Sequence, residues 1–391
     1  MNEQRLHALD AVRAVALLLG IFLHASLSFI PGISAEVWPI SDVQKSTPLA
    51  LASFLIHLFR MAAFFFVAGF LARVLYHREG LRGFVRNRAA RIVGPLVVGW
   101  VVCFTLIVGV VLWALAQANG GELPTPSSLA AMRKAPPNLM HLWFLYLLIW
   151  LYAITVAVRC ALHKFDPHQS LALRLDALLQ AVTSSRTGAL LLSAPIVVAL
   201  FLIPAWDRAA GVPTPSYTLV PPPVPLFIYL YVFAMGWLFD RQRNLLQALA
   251  RSWRVHVALG AVGALVCLYL LAPDAGQAAY PDAPGKLLYA MAYGVALMSW
   301  TLAFVGLGVK YLSGGHAVVR YLADASYWMY VMHLPLIMAL QAALMLSSLH
   351  WVVKFLAING LACLVLLATY HYGVRSTWIG LFLNGRRVAR P

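Results

Sequence analysis

The sequence predicts an all-α polytopic membrane protein, and three observations predict it. Of the 391 residues, 62% are hydrophobic and only 11% are charged, with a mean hydropathy of +0.80. A soluble domain of this length could not bury so large an apolar share in its core. Apolar runs of bilayer-spanning length recur along the whole chain, since a spanning helix needs about 20 residues. Lysine and arginine also concentrate in alternate connecting segments.

Ten apolar segments read as transmembrane helices. In chain order they cover residues 10–30, 50–74, 92–115, 141–160, 188–205, 225–239, 255–272, 286–308, 321–346 and 352–373. The connecting segments are too short to hold a further fold. We therefore expect a single transmembrane domain over residues 1–391, with no appended soluble domain.

The basic residues predict the orientation of these helices. If the N-terminus is cytoplasmic, 21 lysines and arginines fall in inner segments and six in outer segments, and two lie within the membrane. This bias is the positive-inside pattern, so both termini are expected in the cytoplasm. It accounts for the net charge of +16 without any nucleic-acid partner.

The first apolar segment carries three ionisable residues on one helical face. Arg13 and His24 are about 20° apart at 100° per residue, and Asp10 is about 40° from His24. Ionisable groups in hydrocarbon cost a few kcal/mol and normally face a polar cavity. A cleavable signal peptide has a shorter, uncharged apolar region. A lone membrane histidine is often only an interhelical donor, but the aligned Asp10 and Arg13 favour a functional site. There, His24 could accept a proton from an attacking hydroxyl.

Two further basic groups are predicted at the depth of His24. His57 and Arg60 lie on the antiparallel second segment, three residues apart and thus neighbours on its surface. For His57 a structural role in the core is favoured. For Arg60 a structural contact with a backbone carbonyl and a functional role stay open, because a buried guanidinium is costly.

An arginine-rich inner loop is predicted over residues 75–91. Its end places Arg88 and Arg91 at i and i+3, on one helix face. Converging guanidinium groups bind phosphate bidentately, so the pair could hold a polyphosphate at the inner surface. On composition alone, anchoring to anionic membrane lipids is favoured.

The ninth segment contains a Ser326-Tyr-Trp-Met-Tyr330-Val-Met-His333-Leu-Pro335 run. Pro335 removes a backbone donor from the helix, and Tyr330 and His333 share a face. The four cysteines lie in or beside apolar segments, with neither disulfide nor metal-ligand spacing, so no metal site is predicted.

Together these motifs resemble the acyltransferase-3 family of integral membrane O-acyltransferases. The resemblance rests on Leu9-Asp10-Ala-Val-Arg13 with His24 after ten further residues, on the Arg88-Ala-Ala-Arg91 pair and on the late Ser-Tyr…Tyr…His-x-Pro run. Within the family, the stretches from Phe59 to Phe70 and from His141 to Tyr146 resemble the glucan biosynthesis C group. Members of that group succinylate osmoregulated periplasmic glucans.

The resemblance implies a multi-pass protein of the bacterial inner membrane that moves an acyl group from cytoplasmic acyl-CoA to glucan hydroxyls in the periplasm. Succinyl-CoA is the favoured donor and acetyl-CoA the alternative. His24 would act with Arg13 and Asp10, as a general base or as a transient acyl carrier. Donor phosphates would bind Arg88, Arg91 and Arg86, with Arg13 along the donor path. The acceptor and acyl group would contact the remaining candidates, namely Arg60, His57, His141, Tyr330 and His333.

Alternatives to the glucan succinyltransferase remain open. The chain could acetylate another surface polysaccharide or a lipid-linked glycan. In another class, a secondary transporter could use Asp10, Arg13 and His24 as a proton relay, although no internal repeat is visible. A structural partner of a glucan synthase would need no one-sided polar face. The expected partners are membrane lipids and, in addition, either a second copy of the chain or a glucan synthase.

Overall fold

The chain is described by a computed structural model over residues 3–122, 138–166, 168–185, 188–204, 206–271 and 282–385. In these ranges the secondary structure is helical. The α-helices are α1 (Glu3–Ser26), α2 (Thr47–Arg88), α3 (Gly94–Ala118), α4 (Trp143–Phe165), α5 (Ser170–Ser184), α6 (Gly188–Phe201), α7 (Pro223–Arg241), α8 (Asn244–Leu271), α9 (Ala283–Tyr311), α10 (Ala317–Leu344), α11 (Trp351–Thr369) and α12 (Trp378–Asn384).

The helices confirm the predicted all-α polytopic class. Eight helical stretches in the described ranges are long and apolar enough to cross a membrane, or nine if α5 and α6, bent by 115°, form one broken span. The ten predicted segments exceed this number for two reasons. Segments 50–74 and 92–115 fall within one helical stretch of 72 residues, Thr47–Ala118, and α6 has only 14 residues. Segments 188–205 and 255–272 each end one residue beyond a described range.

The prediction of a loop over residues 75–91 was wrong. Helix α2 continues to Arg88 and is interrupted only at Gly80, whose φ of 66° lies in the left-handed region that favours glycine. A five-residue π-helix, Ala89–Val93, then leads directly into α3. Short π-helical insertions are frequent at functional sites, and this one contains Arg91.

The helices pack as two groups around α1. One core contains buried side chains of α2, α4, α7, α8 and α9, and the other joins α1 to α10 and α11. The α2–α7 crossing is close because glycines lie on both sides. A Cβ atom on Gly69 would lie 1.9 Å from the carbonyl oxygen of Phe233, and one on Gly236 would lie 1.8 Å from that of Phe66. Such small-residue contacts let helix backbones approach within a membrane.

Candidate functional site

A cavity of ≈ 2130 Å³ lies between α1, α2 and α10. Exposed residues line it at both ends: Arg78 and Glu79 at one, and Glu36 and Val37 at the other. We call the first end, with Arg13, Arg88 and Arg91, the basic mouth. We call the second end, lined by residues 31–39 and by six residues between Asp207 and Tyr217, the loop mouth. The cavity therefore connects two opposite surfaces of the helix bundle.

Helix α1 contributes one full face to this cavity. Five of its lining residues recur at intervals of three or four, the spacing of a single helix face, namely Asp10, Arg13, Leu17, Gly20 and His24, and Leu23 lies beside them. At 1.5 Å per residue, Asp10 and His24 are about 21 Å apart along the axis. The predicted face of Asp10, Arg13 and His24 thus follows the cavity from the basic mouth to its middle.

At the basic mouth, Arg13 has two partners. Its Nη2 atom lies 3.4 Å from Asp10 Oδ1 and donates to the carbonyl oxygen of Ala323 on α10 at 3.0 Å. The Asp10 and Arg13 side chains are 37% and 35% exposed. This half-exposed ion pair neutralises part of the charge at the mouth and fixes Arg13 between α1 and α10.

Arg88 and Arg91 both line the basic mouth, as predicted, although the turn between them is π-helical. The Arg88 guanidinium donates to Asn87 Oδ1 at 2.9 Å and lies 5.5 Å from the ring centroid of Tyr152. Arg91 donates to the carbonyl oxygen of Leu381 on α12 at 2.7 Å. Both arginines donate hydrogen bonds to neutral groups, and the carboxylate of Glu79, which also lines the cavity, interacts with both of them electrostatically.

Arg86 is the predicted site residue that the structure does not bring to this cavity. It is exposed and lies outside the lining. Arg86 precedes Arg88 by two residues. Because α2 is helical through this stretch, the two side chains point in different directions.

In the middle of the cavity His24 is enclosed by three side chains. Its ring stacks on Trp38 at 5.8 Å between centroids and lies 5.2 Å from the ring of His333. Gln341 of α10 donates to the carbonyl oxygens of His24 and Ala25 at 3.0 and 3.1 Å, and its Oε1 accepts from Trp38 Nε1 at 3.1 Å. Gln341 thereby fixes both the end of α1 and the indole against His24.

His333 and His141 extend this group. Their ring centroids are 4.9 Å apart, and both residues are buried. The carbonyl oxygen of Val331 accepts a hydrogen bond from His141 Nε2 at 2.9 Å. That carbonyl is available because Pro335, four residues later, has no N–H to donate to it. Tyr330 in turn donates its hydroxyl to the carbonyl oxygen of His141 at 2.7 Å.

Arg60 lies beside His24, as its predicted depth required. It lines the cavity, is only 9% exposed, and its Nε atom has no hydrogen-bond partner among the described residues. A Cβ atom on Gly20 would lie 2.1 Å from Arg60 Nη1, so the absent side chain at Gly20 makes room for the guanidinium. His57 also lines the cavity, and its Nε2 donates to the carbonyl oxygen of Ala210 at 3.1 Å.

Sequence reasoning missed Trp38, Gln341 and Gly20. Two signals could have found them. Gly20 lies four residues before His24 on the same face of α1, and Gln341 is an amide inside an apolar helix, where polar groups normally have a partner. Nothing in the sequence signalled that Trp38, in a loop, would contact His24.

The histidine cluster does not have the arrangement of a metal site. In the part of the chain that the structure describes, no three His, Cys, Asp or Glu side chains converge as metal ligands would. What the cavity offers instead is imidazole and guanidinium groups between two mouths, a combination suited to proton transfer and anion binding.

Comparison with known proteins agrees with this chemistry. A family model described as an acyltransferase domain, acyltransferase 3, matches residues 6–371. Proteins named glucans biosynthesis protein C from Salmonella paratyphi B, Salmonella heidelberg and Salmonella schwarzengrund are each 28% identical over 155 residues. These alignments cover 39% of this chain and 39% of each relative, so the chain matches about two fifths of their length. No solved structure matches the chain.

Proposed function

Because the chain belongs to the acyltransferase-3 family and is a multi-pass membrane acyltransferase, we propose that it transfers an acyl group from acyl-CoA to hydroxyl groups of a periplasmic glucan. The donor enters at the basic mouth, which faces the cytoplasm, and the glucan enters at the loop mouth. The observation that carries this proposal is the cavity itself, which joins a cluster of arginines to His24 and then to the opposite surface.

The basic mouth suits a phosphate-bearing donor. Arg88 and Arg91 donate to neutral groups and form no ion pair among the described residues, and guanidinium groups bind phosphate oxygens through paired N–H donors. The face of α1 from Arg13 to His24 is one wall of the path that the pantetheine arm would follow. The residues present therefore fit acyl-CoA, with its thioester near His24.

His24 is the catalytic base of the proposed reaction. It takes the proton from an acceptor hydroxyl while that oxygen attacks the thioester carbonyl carbon. The C–S bond breaks, the new C–O ester bond remains on the acceptor, and the proton passes to the sulfur of CoA. Stacking on Trp38 and the hydrogen bonds from Gln341 to α1 hold the imidazole in place during these steps.

Arg60 supports succinyl as the transferred group. A succinyl thioester carries a second carboxylate, and a carboxylate inside a membrane needs a cation to offset its desolvation. Arg60 is a buried guanidinium beside His24, and among the described residues it forms no ion pair. The similarity to glucans biosynthesis protein C supports a glucan acceptor.

The test compares periplasmic glucans from a deletion strain that carries the wild-type gene, His24→Ala or His256→Ala. His256 is a matched control because it is a membrane histidine outside the cavity lining. We expect His24→Ala to lower transfer by about 10²- to 10⁴-fold, the contribution of a positioned acid or base. Mass spectrometry of the glucans reports the acyl mass. Near-normal acylation in His24→Ala would remove His24 from the mechanism.

Donor binding separates this enzyme from a transporter that uses the same cavity for a proton path. A ligand that binds only the folded protein raises its unfolding temperature. We expect CoA to stabilise purified wild type and His24→Ala equally. A deletion strain whose glucans keep their acyl groups, together with no stabilisation by CoA, would favour the transporter.

A further inference from the structure

Three imidazole rings meet in the middle of the cavity, and the proposed mechanism uses only one of them. His333 lies between His24 and His141, with ring centroids 5.2 and 4.9 Å away. His333 is 2% exposed and His141 is 7% exposed. Both line the same cavity as His24. Burying two extra imidazoles beside the catalytic base requires an explanation.

Backbone carbonyls fix the position of the proton on each of these two rings. The carbonyl oxygen of Tyr330 lies 2.7 Å from His333 Nδ1, and that of Val331 lies 2.9 Å from His141 Nε2. A carbonyl oxygen can only accept, so Nδ1 of His333 and Nε2 of His141 carry the protons. Because a buried charge is costly, both imidazole rings are neutral, and a neutral imidazole carries only one proton. The remaining lone pairs are therefore on His333 Nε2 and His141 Nδ1.

These two lone pairs have no donor from the protein. Within the described ranges, both His333 Nε2 and His141 Nδ1 are buried atoms without a hydrogen-bond partner. Buried polar atoms in proteins are normally paired. Because both rings line the cavity, the missing donor can come from a molecule in it, and a hydroxyl group is the donor that a glycan carries.

We propose that His333 and His141 form a hydroxyl-binding pair that positions the acceptor against His24. One hydroxyl of the acceptor reacts at His24 while neighbouring hydroxyls donate to His333 Nε2 and His141 Nδ1. No covalent bond forms at the pair. The inference rests on the proposed function and adds that hydroxyl groups adjacent to the acylated one take part in binding the glucan.

Amide substitutions distinguish this role from a structural one. Asparagine places its amide near the position of Nδ1 and glutamine near that of Nε2. His333→Asn therefore keeps the donor to Tyr330 but loses the lone pair, whereas His333→Gln loses that donor and supplies an acceptor oxygen in place of Nε2. At position 141 the roles reverse. His141→Gln keeps the donor to Val331 and loses the lone pair, and His141→Asn does the opposite.

We expect a crossed pattern in glucan acylation by membranes that contain each variant. His333→Asn and His141→Gln should raise the glucan KM at least tenfold, and His333→Gln and His141→Asn should stay within about threefold of wild type. The affinity for CoA should be unchanged in all four. If the rings only support α10, the order reverses, because the variants that keep the carbonyl hydrogen bond would then perform best. That reversed order, or four equal KM values, overturns the proposal.

A second measurement needs no variant. Wild-type membranes receive either a short glucose oligosaccharide or its counterpart deoxygenated next to the acylated position. We expect at least a tenfold higher KM for the deoxy acceptor, since a site built to bind a hydroxyl rejects the analogue that lacks it. Equal KM values would overturn the hydroxyl-binding pair while transfer itself continued. If neither oligosaccharide nor native glucan were acylated by wild type, the proposed function would fail instead.

Discussion

Two groups of arginines in this protein differ in the partners that they have. Arg73 and Arg243 both contact the buried carboxylate of Asp240, at 2.7 and 2.5 Å, and Arg241 contacts Asp176 at 2.6 Å. These paired arginines connect α2, α5 and α7. The second group, which we call the cavity arginines, consists of Arg60, Arg88 and Arg91. Among the ion pairs of the described residues, none includes a cavity arginine.

The difference separates structural charge from functional charge. The Asp240 side chain is 2% exposed and that of Arg73 17%, so removing either partner leaves a charge that is largely shielded from water. Arg88 and Arg91 donate hydrogen bonds to neutral groups, such as the Leu381 carbonyl oxygen for Arg91, and no cavity arginine has a carboxylate within ion-pair distance among the described residues. The charge of a cavity arginine remains available to an anion that enters the cavity. The paired arginines should therefore affect folding, and the cavity arginines should affect donor binding and acyl preference.

The largest effect should come from the paired group. Asp240→Asn removes the carboxylate that Arg73 and Arg243 share, which should lower the free energy of unfolding by about 3 to 5 kcal/mol. Thermal unfolding in detergent measures this loss. The exposed Glu122→Gln serves as the control and should unfold like wild type. If Asp240→Asn kept full stability, the structural role assigned to the paired arginines would be wrong.

Arg60→Gln should give the next largest effect, on the choice of acyl group. A charge-assisted hydrogen bond contributes about 1.5 to 3 kcal/mol, and burial places Arg60 toward the upper value. The activation free energy of succinyl transfer should rise by that amount, while the rate of any transfer from acetyl-CoA should change little. Competition between the two thioesters in membranes measures the preference. A wild type that used only acetyl-CoA would defeat the succinyl assignment and leave the acyltransferase assignment intact.

Arg88→Ala and Arg91→Ala should each weaken CoA binding, toward the lower end of about 1.5 to 3 kcal/mol because solvent screens the half-exposed mouth. The loss should shrink in high salt. Arg86→Ala is the matched control, since Arg86 is a nearby arginine outside the cavity. CoA titration of all three variants provides the measurement. Equal affinities across the set would identify Arg88 and Arg91 as lipid anchors.

Gly20→Ala should produce the smallest effect and the sharpest comparison. The new methyl group would lie 2.1 Å from Arg60 Nη1 and must displace the guanidinium. Overpacking of this kind costs about 1 kcal/mol or somewhat more. We expect a partial loss of succinyl preference in the competition assay, with unchanged CoA affinity at the distant basic mouth. A preference identical to that of wild type would show that the position of Arg60 does not govern acyl choice.

The sequence predicted much of the helical architecture and one wall of the site. Helical periodicity alone placed Asp10, Arg13 and His24 on one face, and all three line the cavity. It could not predict the path of residues 75–91, because a helix and an arginine-rich loop have similar composition there. The backbone kinks at Gly80 and is helical again up to Arg88, and the π-helix then leads into α3.

Partners distant in the sequence were beyond prediction for a different reason. Trp38 stacks on His24 because Gln341, more than 300 residues away, bonds to both the indole and the end of α1. His141 donates to Val331 because Pro335 frees that carbonyl oxygen on another helix. Each contact depends on how α10 packs against α1 and against the turn that precedes α4, which periodicity within a single segment does not encode.

By itself, the sequence determined that the chain is a helical membrane protein with an unusually polar first helix, because spanning length, hydropathy and the 3.6-residue period are local properties. Only the tertiary structure decided which charges are neutralised and which remain available. In the packed helices Asp240 forms ion pairs with Arg73 and Arg243. Arg60 lies beside Gly20 and forms no ion pair in the described part of the chain. Electrostatic pairing acts between atoms a few ångströms apart, and only the packed helices bring those atoms together.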